Sequence, residues 1–147
     1  MISYTTGENK AFLRQLPRQL QLPLGDLHVL LVHGCPRRVN EYLYEDRPDS
    51  SLERLLDLAE ADVLGCGHTH IPYHRILPSG RHVVYVGSVG KPKDGDSRAC
   101  YVVLEADGRD LKVQFIRVPY DIQAAMKAIE ASEMPDKYAQ ILLEGKG

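Results

Sequence analysis

The chain has 147 residues, 44% of them apolar and 26% charged, which suits one soluble globular domain with a sizeable core. A formal net charge of -2 without a basic stripe argues against nucleic-acid binding through bulk electrostatics, while a nucleotide in a pocket stays compatible. No apolar run reaches membrane-spanning length, the first residues are polar, and three widely spaced cysteines form no disulfide framework; a reducing cytoplasm is expected.

Thr5-Thr6-Gly7-Glu8 has the pattern of a capping box, and a helix is expected through Ala11, Phe12, Leu13 and Leu16, ended or kinked at Pro17. Pro23 and Gly25-Asp26 mark a turn into a buried strand, Leu27 to Val32. Cys35 to Ser50 reads as a long loop, and Tyr42, Leu43 and Tyr44 within it suggest that it packs against the body. Ser50-Ser51-Leu52-Glu53 has a second capping-box pattern, followed by Leu52, Leu55, Leu56 and Ala59 on one helical face. The strand Val63 to Cys66 then completes a βαβ unit, whose two strands must run parallel.

The second half changes character. Tyr73 to Leu77 and His82 to Val86 flank Pro78-Ser79-Gly80, and Ala99 to Glu105 and Leu111 to Val118 flank Asp107-Gly108. Both read as antiparallel hairpins. Asp121 caps a helix bearing Ile122, Ala125, Met126 and Ile129, and Pro135 opens a last helix that Gly145 ends.

Chemistry concentrates at two strand ends. Val32 is followed by His33-Gly34, and Cys66 by Gly67-His68-Thr69-His70. In a strand, side chains at i and i+2 point to one side, so the last two histidines can converge. Ligands of such sheets bind beyond the carboxyl ends of the strands. His33, His68 and His70 are therefore the candidate metal ligands, since imidazole is a ready ligand for divalent cations. Gly87-Ser88-Val89-Gly90 follows another strand, and its small residues would let backbone pass close to a metal or an anion. His28, His74 and His82 read as structural or exposed.

Other chemistries fit less well. Six positions after Cys35 stands Glu41, where a cysteine phosphatase would need an arginine. Ser88 lacks the strand-to-helix elbow of a serine nucleophile. A structural zinc on Cys66, His68 and His70 has ligands too closely spaced, and no CxxC pair exists.

The ordered set Val32-His33-Gly34, Gly67-His68-Thr69-His70 and Gly87-Ser88-Val89-Gly90 resembles the calcineurin-like metallophosphoesterases, in particular the small bacterial phosphodiesterase-type branch. The stretch from Gly87 to Ala99 and Val118-Pro119-Tyr120-Asp121 resemble that branch too, although Tyr85-Val86 stands where it usually has Asn-Pro. The resemblance implies an α/β fold, the C-terminal part of a four-layer αββα sandwich, with residues 1–147 as one partial domain. The family's opening series (Asp-x-His, Gly-Asp-x-x-Asp, Gly-Asn-His-Asp) is not read here, so the expectation is a chain that starts after it and is inactive alone. By resemblance His33 and His68 bind one metal and His70 the other, with the remaining ligands, including a bridging aspartate, supplied by the missing series.

The implied activity is phosphoester hydrolysis by two divalent cations (Mn, Fe, Ni or Zn) on a small phosphoester or nucleotide. Three imidazoles without carboxylates would hold at most one cation, weakly. The substrate-binding residues are unknown from sequence, and no side chain of this chain is assigned as catalytic. An exposed sheet edge would favour self-association. The alternative is a non-catalytic scaffold of the same fold, as in the retromer subunit that resembles these enzymes, or an inactive fragment.

Overall fold

A computed structural model describes residues 5–147; residues 1–4, which enter the reading of the chain's start, lie outside it. The elements in order are α1 (Gly7–Gln15), β1 (Gln19–Leu24), β2 (Leu27–Val32), α2 (Asp49–Ala59), β3 (Val63–Cys66), β4 (Tyr73–Ile76), β5 (His82–Tyr85), β6 (Ala99–Asp107), β7 (Asp110–Val118), α3 (Ile122–Glu130) and α4 (Lys137–Glu144). Five strands form one sheet in the order β1-β2-β3-β5-β4, and β6 and β7 form a separate antiparallel ribbon. The α/β class and the parallel β2–β3 pair agree with the βαβ reading.

Alternation sorts the sheet's two faces. Leu30, Leu64, Val83 and Tyr85 pack against Leu52, Leu55, Leu56 and Ala59 of α2. Leu27, Val29, Val63 and Val84 meet Val102, Leu104, Leu111, Val113 and Phe115 of the ribbon. The apolar residues of α2 recur at three- and four-residue spacing and so make one stripe. Each fully buried leucine, such as Leu52 or Leu56, contributes about 1.5–3 kcal/mol of transfer free energy. Arg81 ties the β4–β5 hairpin to α2 through Glu53 and Asp57, which limits sliding of the helix over the sheet.

Several local expectations need correction. The segment before Leu27 is a strand: β1 pairs antiparallel with all of β2 through the Gly25-Asp26 turn. Its polar residues Gln19 and Gln21 hid the alternation, and Pro23 is tolerated because β1 is the sheet edge. The cap of α1 is Thr6, whose Oγ1 accepts from Asn9 N at 3.2 Å. No side chain caps α2, which starts at Asp49 after Pro48. Ser51 lies inside that helix, and its Oγ accepts from Arg47 Nε at 2.9 Å. Strand β5 is also more than a hairpin arm, since it pairs parallel with β3 as well as antiparallel with β4. The caps expected downstream are present: Asp121 accepts from Ala124 N at 2.9 Å, and Gly145 ends α4 with φ of 64°.

Candidate metal centre

Strands β2 and β3 are parallel neighbours, so the residues that follow them leave the same sheet edge side by side. The N–H of Gly67 donates to the carbonyl of His33 at 2.8 Å and zips the two exits together. Beyond them His33 Nε2 and His68 Nδ1 stand 3.1 Å apart, with ring centroids 4.9 Å apart in an edge-on arrangement. Two bare lone pairs at that separation would repel, so a proton lies between them. That proton marks a place a cation could take.

His68 and His70 do not converge through strand alternation. Both lie beyond β3 on a turn and adopt left-handed backbone, with φ of 71° and 64°. Such a conformation costs a non-glycine residue about 1–3 kcal/mol and persists where the surroundings over-determine it. Thr69, buried between them, is part of that constraint. Its Oγ1 accepts from Ile71 N at 3.2 Å, and Thr69 N donates to Gly67 O at 2.9 Å.

His70 is held from the third motif. Its Nδ1 donates to the carbonyl of Lys91 at 2.7 Å, which leaves Nε2 with a free lone pair. A ring fixed in this way, with one nitrogen on a backbone carbonyl, is the usual arrangement of a metal-ligating histidine. Lys91 is itself placed by Ser88, whose Oγ accepts from Lys91 N at 2.9 Å. Gly87 has φ of +79°, and a Cβ there would lie 3.1 Å from Cys100, so only glycine lets this turn lie flat. The small residues of Gly87-Ser88-Val89-Gly90 thus serve to bring a carbonyl to His70.

Electrostatics favour the neutral form of His33. Partial burial pushes the His33 pKa down from its ordinary value, and the nearby His68 and His70 rings push it further the same way. A neutral imidazole is the form that can ligate. The three histidines are thus neighbours, but only His33 and His68 are in contact, and His70 is turned to Lys91. Among the described residues no group of three or more His, Cys, Asp or Glu side chains is closed tightly enough to hold a metal ion. Three imidazoles without a carboxylate are a donor set for at most one divalent cation, and here the rings of His33 and His68 meet while His70 stands turned to Lys91.

The literal spacing Asp-x-His does occur, in Asp26-Leu27-His28, contrary to the reading that it is absent. It lies at the opposite end of β2 from His33, where Asp26 N donates to Gly108 O and His28 N to Asp62. It takes no part in the site. Cys66 is buried with its thiol pushed up in pKa by desolvation, so it offers neither a nucleophile nor a thiolate ligand.

The loop packs through Leu43 as its sequence suggests, but sequence reasoning did not place Tyr42 beside His68. The loop after His33 is pinned at Leu43, whose N–H donates to Tyr85 Oη at 3.1 Å and whose carbonyl accepts from Tyr73 Oη at 2.9 Å. Leu43 is wholly buried, and Tyr42 and Tyr44 on either side of it are exposed. Tyr42 packs on His68 with centroids 4.3 Å apart and stacks with Tyr44 at 5.7 Å.

Residues 5–109 match the calcineurin-like phosphoesterase superfamily domain, and the chain belongs to that superfamily. It is 28% identical over 156 residues to an uncharacterized protein of Methanocaldococcus jannaschii, covering 95% of this chain and 61% of that protein. A metallophosphoesterase from Sphaerobacter thermophilus superposes with a TM-score of 0.77 at 26% identity, over 97% of this chain and 63% of that one. A hypothetical protein from Pyrococcus horikoshii gives 0.80 at 28% identity, over 94% of this chain and 54% of its own. The chain thus spans less than two thirds of each of these relatives. Vps29 from Entamoeba histolytica, solved with Zn2+, shares the fold at 20% identity and a TM-score of 0.52, over 71% of this chain and 61% of that one. No helix among the described residues is long and apolar enough to cross a membrane.

Proposed function

We propose that this chain carries the three-histidine share of a metal-dependent phosphoesterase site, with His33, His68 and His70 as its metal ligands. The observation that carries the reading is the facing pair His33 Nε2 and His68 Nδ1 at 3.1 Å, beside a His70 whose Nε2 is left free by Lys91. A divalent cation there supplies Lewis-acid polarisation of a phosphoryl oxygen and lowers the pKa of water. The chain's own part is to present neutral imidazoles, to hold His70 through Ser88 and Lys91, and to wall one side with Tyr42. Mn, Fe, Ni and Zn all suit imidazole ligands.

Residues 1–147 are, on this reading, a partial metallophosphoesterase domain. The relatives are longer, and the cluster has no carboxylate, so the second cation and the bridging ligand need residues outside it. The substrate is a small phosphoester or nucleotide. Three buried free cysteines fit a reducing, cytoplasmic compartment.

Hydrolysis of bis-p-nitrophenyl phosphate tests this. The chain alone with Mn2+ should show little or no turnover, and the chain joined to a segment bearing the family's carboxylate motifs should turn over. His68→Ala in the joined protein should abolish most activity and His74→Ala little. Robust turnover by the 147-residue chain alone would overturn the partial-site reading.

A second reading, a binding scaffold of the same fold, is favoured by one observation. Phe12 and Leu13 of α1, Leu16 just after it and Leu20 of the edge strand β1 are all exposed. An apolar stripe beside a free edge suits a second copy of this chain. Light scattering should show association that Leu20→Lys weakens; a monodisperse monomer at high concentration would count against it.

A further inference from the structure

We propose that the cleft lined by Arg18 and Arg38 is a binding site for a dianionic phosphate group, of the phosphate-monoester kind, and that it works without a metal. The cleft holds about 330 Å³ and is lined by Arg18 and Val32 from the β1–β2 pair and by Cys35, Arg37, Arg38 and Val39 from the loop that follows. That volume lies within the range of small-molecule pockets, about 300–1,000 Å³. Register fixes its place in the fold. Gln19 stands opposite Val32, with Arg18 just before the first and His33 just after the second. The cleft thus lies at the sheet end that the candidate metal ligands leave, but none of those histidines lines it.

The loop that carries Arg37 and Arg38 is fixed before any ligand arrives. The N–H groups of Cys35 and Glu41 both donate to the carbonyl of Arg38, at 3.0 and 3.3 Å. The loop also presses on Gly34, where a Cβ would stand 2.6 Å from the carbonyl oxygen of Val39 and 2.9 Å from that of Glu41. Cys35 is buried beneath it. The guanidinium of Arg37 pairs with Glu41, and Arg47 reaches the same carboxylate at 3.1 Å. A loop held in this way has little freedom to lose on binding.

Charge decides the occupant. Glu41 faces two cations and is compensated by them. Arg18 and Arg38 meet no carboxylate among the described residues, whereas Arg37, Arg47, Arg75, Arg81, Arg98, Arg109 and Arg117 each do. General basicity does not explain the two, since the chain's formal net charge is -2. Like charges lining one cleft repel, and an anion between them replaces that repulsion with attraction. Two uncompensated guanidiniums match a dianion. A phosphate monoester carries about -1.5 to -2 at pH 7, and its oxygens suit the forked N–H donors of arginine. A diester carries a single charge and would leave one guanidinium uncompensated. Val32 and Val39 offer apolar surface to the organic part of the ligand.

Amide chemical shifts of the isotope-labelled chain, stripped of metal on a chelating resin and held at fixed ionic strength, test the proposal. Methyl phosphate should shift the amides of Cys35, Arg38 and Val39 to saturation, and should bind roughly tenfold more tightly than dimethyl phosphate. Arg18→Gln and Arg38→Gln should each weaken methyl phosphate binding by roughly tenfold, the loss of one charge-assisted contact. Arg14→Gln, an unpaired arginine outside the cleft, should leave it unchanged, and the same spectra show that each variant is folded. His68→Ala should bind methyl phosphate as the wild type does, which separates this site from the candidate metal centre. Shifts that do not saturate, equal affinities for monoester and diester, or an unchanged affinity in Arg18→Gln or Arg38→Gln would overturn the proposal. So would a loss in His68→Ala, which would put the phosphate at the histidines.

Discussion

His70 Nδ1 donates to the carbonyl oxygen of Lys91 across 2.7 Å, and this single contact joins two of the three motifs that single out the chain. The Gly87-Ser88-Val89-Gly90 turn has no side chain that reaches the histidines. It acts by setting a backbone carbonyl, and Ser88 sets that carbonyl by accepting from Lys91 N at 2.9 Å.

Ser88→Ala should therefore weaken metal binding without touching a ligand. Removing a partner that orients a ligating histidine commonly costs about 10–100-fold in affinity. Acting one residue further away, Ser88→Ala should lie near the lower end of that range, about tenfold. Competition titration with a chromophoric chelator reads it. Unchanged Zn2+ affinity in Ser88→Ala would mean that the turn does not position His70.

Tyr85→Phe should loosen the loop that carries Tyr42 and Tyr44. The lost hydroxyl leaves the buried N–H of Leu43 without its partner, at a cost of about 1–3 kcal/mol. Urea unfolding should show that loss, and amide exchange at Leu43 should speed up more than exchange at Val63 in the sheet centre. Equal protection of Leu43 in both proteins would show that Tyr73 alone holds the loop.

The pair His74 and His82 should make stability fall on acidification. Their rings stack, with Nε2 of His74 2.9 Å from Nδ1 of His82, so one donates and the other must be neutral to accept. Burial lowers both pKa values below the usual 6.5, and the neighbouring His82 lowers that of His74 further. The unfolded chain then binds more protons as pH falls through 6.5 toward the lowered folded values. Stability is full above 6.5, declines across that window, and levels off below it. His82→Gln should flatten this part of the profile in thermal melts at pH 5 to 8, a window read from the unperturbed histidine pKa of about 6.5. An unchanged slope would assign the acid sensitivity to other groups.

Much of the architecture was legible because it rests on residues with one reading. The apolar runs Leu27 to Val32 and Val63 to Cys66, with an amphipathic helix between them, permit little other than a parallel pair. The histidines at their ends then had to leave the sheet together. Strand β1 was not legible, since Gln19 and Gln21 are polar and exposed at the sheet edge and Pro23 argues against a strand. The left-handed turn at His68 and His70 was equally hidden, because neither residue type announces positive φ. The tyrosine wall needed tertiary information: Tyr85 reaches Leu43 across 42 positions of sequence.

Equilibrium dialysis of the chain against Zn2+ tests most directly the proposal that His33, His68 and His70 share one cation. One Zn2+ per chain is expected, with affinity lowered at least tenfold in each of His33→Ala, His68→Ala and His70→Ala, and unchanged in His28→Ala. No Zn2+ retained by the wild-type chain, or equal retention by all three variants, would contradict it.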